Sequence, residues 1–118
     1  MTQDPYDLRL RTRQYALRIV ALYGALPHST AAQVIGKQLL RSGTSPGAHY
    51  REAQRSKSDA DFISKMEGGL QELDETGYWL ELLEGAGLVS PERLAPLKQE
   101  TDELIAIFVT IVKKIKAR

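Results

Sequence analysis

The 118-residue chain contains no cysteine, which excludes a disulfide framework and thiolate chemistry. It has only two histidines, His28 and His49, and neither stands three residues after a glutamate. The Glu-x-x-His pairs of di-metal carboxylate bundles are therefore missing. His49 and Glu52 occur in the reverse order and only once, which a histidine bonded to a neighbour explains, so neither a metal nor another cofactor is expected. No apolar run approaches the ~18 residues of a membrane span. The opening "MTQDPYDLRLRTR" is acidic and then basic, without the apolar core of a signal peptide. A cytoplasmic protein with no membrane partner is expected. No alternating period-two stretch of useful length occurs, so no sheet is predicted. "GTSPGAHY" follows no strand and lacks the Lys-Ser/Thr of a phosphate-cradling loop. With no strained nucleophile turn and no Ser-His-Asp set either, the chain is read as not an enzyme.

What is present is helical periodicity. Leu8, Tyr15, Ile19, Leu22 and Leu26 fall on one stripe, widened by Ala16, Val20 and Tyr23. A first helix over about 5–26 follows, with Pro5 in its first turn and Pro27 as its stop. In the third segment Phe62, Met66, Gly69, Leu73, Thr76, Leu80 and Leu83 recur at steps of four and three, a heptad seam. Ser58 opens it in a capping-box variant with Asp61 in place of Glu or Gln. "EGAGLVSPER" offers Gly85 or Gly87 as a left-handed terminator. It then supplies Ser90 as N-cap, Pro91 as first helical residue, and Val89 with Leu94 as a staple. The last seam is Leu94, Leu97, Thr101, Leu104, Phe108, Ile111 and Ile115. Helices over about 59–85 and 91–116, joined by short connections, imply antiparallel neighbours.

The stretch "RSGTSPGAHYREA" at 41–53 is harder. Ile35, Leu39, Gly43, Gly47 and Tyr50 continue one helical stripe straight through it. Gly43 and Gly47 form a small-xxx-small pair that lets a backbone come close, and Gly68 and Gly69 could be the surface that meets it. Pro46 opposes a helix, since an interior proline costs about 3 kcal/mol. The residues alone leave open a kinked continuous helix and two short helices joined by a turn.

"QLLRSGTSPGAHYREAQ" with "ADFISKMEGGLQELDETGYWLELL" resembles the small four-helix-bundle proteins known from intervening sequences in 23S ribosomal RNA genes. Accessory proteins of diversity-generating retroelements look related to these. Pro46 stands where a small aliphatic is expected, and His49 where Asn is expected. The resemblance implies an all-α, antiparallel up-down-up-down four-helix bundle forming a single domain over 1–118. Its second helix would run over about 30–55, kinked near Pro46. The resemblance also implies a homo-oligomer, a ring-like pentamer, and no catalytic motif.

Net charge is +1, but it is unevenly distributed. Residues 1–57 carry nine Lys/Arg against three acids, a net +6, and residues 58–118 seven against twelve, a net −5. Such asymmetry points to a basic face for polyanions or to assembly between opposite faces, unless these are simply solvated helix surfaces. Arg9, Arg11, Arg13, Arg41, Arg51, Arg55 and Lys57 are the candidate nucleic-acid contacts, for RNA or DNA backbone or for a nucleoprotein partner such as a reverse transcriptase. Few aromatics interleave with them, so sequence-tolerant phosphate contact is expected rather than base reading. Tyr78 and Trp79 flank the third seam and are candidate subunit contacts. Glu67 is expected to pair with a base on another helix. The alternative is a protein-interaction module with no nucleic-acid role.

Overall fold

A computed structural model describes residues 4–118 as four helices: α1 (Leu8–Gly24), α2 (Thr30–Gln54), α3 (Asp59–Gly85) and α4 (Pro91–Lys116). No strand occurs among the described residues. The helices lie side by side in a body of 47 × 20 × 19 Å. Cross-helix bonds establish the antiparallel order. Arg9 at the start of α1 reaches Gln54 at the end of α2 (2.9 Å). Lys116 at the end of α4 reaches Glu67 near the start of α3 (3.1 Å), while Lys98 and Glu84 pair at the opposite end (3.0 Å). α2 and α3 form the most extensive contact, and α1 touches α4 least.

Each start has a local cause. Ser29, Ser58 and Ser90 accept hydrogen bonds from the amides of Ala32, Asp61 and Arg93, relieving one orphan donor per helix. Gly87, at φ 68°, takes the left-handed position after α3, and the Leu88 amide then bonds the Leu83 carbonyl at 2.9 Å. The start of α1 differs from expectation. Pro5 and Tyr6 form a turn before the helix, and the Asp4 carboxylate accepts from the amides of Leu8 (2.7 Å) and Arg9 (3.0 Å). Asp7 adopts the left-handed region, φ 52°, to make that return possible.

The α3 seam is buried at all seven predicted positions. On α4 the last turn shifts: Val112 is buried where Ile111 was expected. α1 buries a narrower stripe than predicted. Thr12 joins Leu8, Tyr15 and Ile19 inside, whereas Val20 is 47% exposed. Hydroxyls cross the core at mid-height. Tyr15 Oη meets Thr101 Oγ1 at 2.6 Å, joining α1 to α4, and Thr76 Oγ1 meets Ser42 Oγ at 2.8 Å, joining α3 to α2. Thr76 and Thr101 also donate to carbonyls one turn back, which satisfies these buried groups.

α2 is continuous through Pro46, so the turn alternative does not hold. Proline deprives the Ser42 carbonyl of its usual donor. In the same turn Thr44 and Ser45 hydroxyls bond back to the Leu40 and Arg41 carbonyls at 2.8 and 2.7 Å. The glycine pairs do not face each other. A Cβ at Gly43 would lie 2.7 Å from Ile19, and one at Gly47 3.3 Å from Thr12, so this pair admits α1. A Cβ at Gly68 would meet the His49 ring at 2.7 Å, and one at Gly69 the Phe108 ring at 2.8 Å.

Candidate nucleic-acid interface

The seven candidate cations divide by helix geometry. Two residues along a helix turn it by about 200°, so Arg11 and Arg13 point to opposite sides of α1. Arg11 faces α4, where Nε and Nη2 fork onto Glu100 at 3.1 and 2.6 Å and Nη2 also reaches Glu103 at 3.1 Å. The hydrogen bond that Arg11 donates to Glu100 raises the Arg11 pKa. Arg41 faces α3 and holds Glu72 at 3.2 Å and Glu75 at 2.7 Å. These two arginines, expected among the phosphate contacts, are committed to carboxylates on neighbouring helices.

Four of the others gather at one end of the bundle. Arg9 and Arg51 line two overlapping shallow depressions; Arg13 completes one, with Asp4, Asp7 and Leu10, and Arg55 the other, with Glu52. The start of α1 and the last turn of α2 bring them together. Arg9 Nη1 is steadied by the Gln54 carbonyl oxygen, so the end of α2 orients this arginine without neutralising it. Among the described residues none of Arg9, Arg13, Arg51 or Arg55 has a carboxylate within ion-pair distance. Lys57 is exposed in the connection after α2, also without an ion pair. Three acids temper the field, but Asp4 spends both carboxylate oxygens on the α1 amides.

The other named residues have structural surroundings. Glu67 meets Lys116, as its position suggested. His49 lies over Gly68 and Gly69 with its Nδ1 buried and without a hydrogen bond, 4.0 Å from Glu52. No group of three His, Asp or Glu side chains capable of holding a metal ion occurs among the described residues. Tyr78 is 53% exposed, with its ring centroid 5.1 Å from that of half-buried Trp79. The sequence reading missed one surface: Leu10 and Leu17, 53% and 51% exposed, join Val20 on the outer side of α1. Their spacing of seven and three residues was the available signal.

The fold defines the class: an all-α antiparallel four-helix bundle. The chain belongs to the 23S rRNA-intervening sequence protein family, whose model matches residues 7–110. It is also similar to a crystal structure of a protein of unknown function from the S23 ribosomal protein family of Bacteroides thetaiotaomicron. That likeness has 39% identity and a TM-score of 0.85, covering 90% of this chain and 95% of the other. No match is found among curated proteins. No described helix is long and apolar enough to cross a membrane.

Proposed function

We infer that this protein is a non-enzymatic, homo-oligomeric helical scaffold that contacts the backbone of RNA or DNA, alone or within a nucleoprotein such as a reverse-transcriptase complex. One observation carries the reading. Arg9, Arg13, Arg51 and Arg55 converge on one end of the bundle without internal ion pairs, while Arg11 and Arg41 are spent on helix–helix pairing. A guanidinium left unpaired offers its fork to phosphate oxygens, with strength that falls as added salt lowers the entropy gained on counterion release. An oligomer, a pentameric ring by family resemblance, would repeat the cluster and multiply a modest charge. The family's name, which concerns an rRNA intervening sequence, agrees with a nucleic-acid setting.

The test is fluorescence anisotropy of a labelled structured RNA and a duplex DNA. Four phosphate contacts predict an affinity loss of about 150-fold between about 50 and 200 mM salt. Replacing Arg51 and Arg55 with Glu removes binding while leaving the oligomer intact. Absence of binding even at low salt rejects the nucleic-acid reading. The alternative, an assembly module for a protein client, has its own observation in the apolar outer side of α1. It predicts that the same reversals weaken the oligomer instead.

A further inference from the structure

Four elements meet at the end of the bundle where α1 and α3 begin and α2 and α4 finish. Tyr6 in the turn before α1, Tyr50 on α2, Phe62 on α3 and Ile111 on α4 wall an open pocket of about 180 Å³ there. Tyr50 and Phe62 are each 3% exposed, so their rings form its inner wall, and the Phe108 ring backs Tyr50 at 6.3 Å. Tyr6 is half-buried. A dry protein cavity of about 150 Å³ takes up a benzene, so this pocket has room for one flat ring.

Its rim is cationic on two sides. On the α2 side Gln54 lines the pocket, and its carbonyl oxygen accepts from Arg9 Nη1 at 2.9 Å, so the rim continues into the arginine cluster. On the α4 side Lys114 is exposed and has no ion pair among the described residues. Its neighbours Lys116 and Arg118 are held by Glu67 and Asp59. The acid that acts on the Tyr50 hydroxyl is Asp4, whose oxygens already accept from the Leu8 and Arg9 amides.

We propose that this pocket takes one unpaired base of a bound strand, with the phosphates on either side of that base at Lys114 and Arg9. Aromatic rings stack on any base, so the contact stays sequence-tolerant. Charge selects this occupant: an apolar protein side chain would fill the pocket but leave Lys114 and Arg9 unanswered. In a duplex the base is paired and stacked inside, and drawing it out costs that pairing and stacking. The protein therefore prefers a single strand to a duplex. Phosphate contact alone predicts the reverse, because duplex DNA releases more counterion per contact, about 0.9 against 0.7. The proposal rests on the phosphate-contact reading above and adds Tyr6, Tyr50, Phe62 and Lys114 to it.

The experiment is fluorescence anisotropy of the full chain with a labelled single-stranded DNA and with the blunt duplex of the same length, at matched salt. Stacking of one base is worth roughly 5- to 150-fold in affinity. The single strand is expected to bind more tightly, Tyr6→Ala to lose that factor on the single strand alone, and Tyr6→Phe to retain it. Lys114→Ala lowers single-strand affinity and flattens its salt slope by about 0.7, leaving duplex binding unchanged. Lys114 is exposed, so this variant tests the site even where Tyr6→Ala disturbs the fold, which circular dichroism checks. A duplex bound as tightly as the single strand overturns the pocket and leaves the phosphate contacts standing. So do Tyr6→Ala and Lys114→Ala proteins that both bind the single strand like wild type. Arg51→Glu with Arg55→Glu weakens both nucleic acids whatever the pocket does, and a wild type that binds neither overturns both readings.

Discussion

Two glycines in helix interiors, Gly43 and Gly77, predict opposite outcomes for the same substitution. Replacing either with Ala recovers about 1 kcal/mol of helix propensity. At Gly77 the new Cβ would lie 4.0 Å from Thr101 Cγ2, an ordinary contact, so no clash within the bundle offsets the gain. At Gly43 it would lie 2.7 Å from Ile19 Cγ1 and 2.9 Å from both Cδ1 and Cγ2. Cγ1 and Cγ2 both branch from the Ile19 Cβ, so rotating the side chain only exchanges one clash for another. Ile19 is itself fully buried, so it cannot swing out into solvent. The helices must then separate, at an overpacking cost of about 1–3 kcal/mol. That cost is the expected difference between the variants, with Gly77→Ala above wild type and Gly43→Ala below Gly77→Ala. For a chain of this length 1 kcal/mol moves Tm by roughly 4 °C, so calorimetry should separate the two by about 4–12 °C. Protein concentration must be fixed, because self-association makes Tm depend on it. Equal melting of the two variants, or a more stable Gly43→Ala, would show that α1 does not press on Gly43, and the packing described for α1 and α2 would be wrong.

Alkaline pH offers a second check. Burial is the main cause that pushes the Tyr15 phenol from its ordinary value of 10.0 up to about 12, and burial, with Asp4 beside it, also raises Tyr50. The unfolded chain releases these protons near pH 10 while the folded one keeps them, so stability present below that pH is lost as pH rises. Tyr15 alone accounts for roughly 2–3 kcal/mol by pH 12. Tyrosinate absorbance should show Tyr15 and Tyr50 ionising late and together with unfolding; early titration of Tyr15→Phe-sensitive absorbance would contradict its burial. Pro46→Ala restores a donor to the Ser42 carbonyl, which outweighs the lost ring packing and the freer unfolded chain for a net gain of about 1 kcal/mol. A lower urea midpoint would mean that the buried ring contributes more than the missing hydrogen bond costs.

Periodicity carried most of the architecture because a bundle buries its seams at fixed spacing. It read α3 completely. On α4 a strict heptad drifts against the 3.6-residue turn, and after Phe108 the buried position falls on Val112 rather than Ile111. Thr12 was missed because a hydroxyl looks polar in sequence, yet it enters the core by bonding back to the Leu8 carbonyl. Val20 was assigned to the core as an apolar residue near the stripe, but α1 packs mainly on α2, and so narrow a contact buries only a single seam. The α1 start was misplaced because Asp4 caps it across a turn, a contact between residues four and five apart that no local pattern announces. The glycine pairs were both placed at close contacts, but which helix presses on each is a tertiary fact.

Charge was legible as a count and not as a role. The basic first half and acidic second half partly answer each other inside one molecule: Arg11 draws Glu100 and Glu103 to α1, and Arg41 draws Glu72 and Glu75 to α2. Among the charges left without an internal ion pair, Arg9, Arg13, Arg51 and Arg55 gather at one end, and Asp74, Glu81 and Asp102 lie between α3 and α4. Neither set is strong alone. A protomer of net charge +1 gains a substantial basic field only by arraying copies, which would repeat the Arg9, Arg13, Arg51 and Arg55 cluster. Assembly would in this way raise affinity for a polyanion without any change in composition. The salt dependence of RNA binding should accordingly be steeper for the assembled protein than for the protein diluted to monomer, and equal slopes would separate assembly from binding.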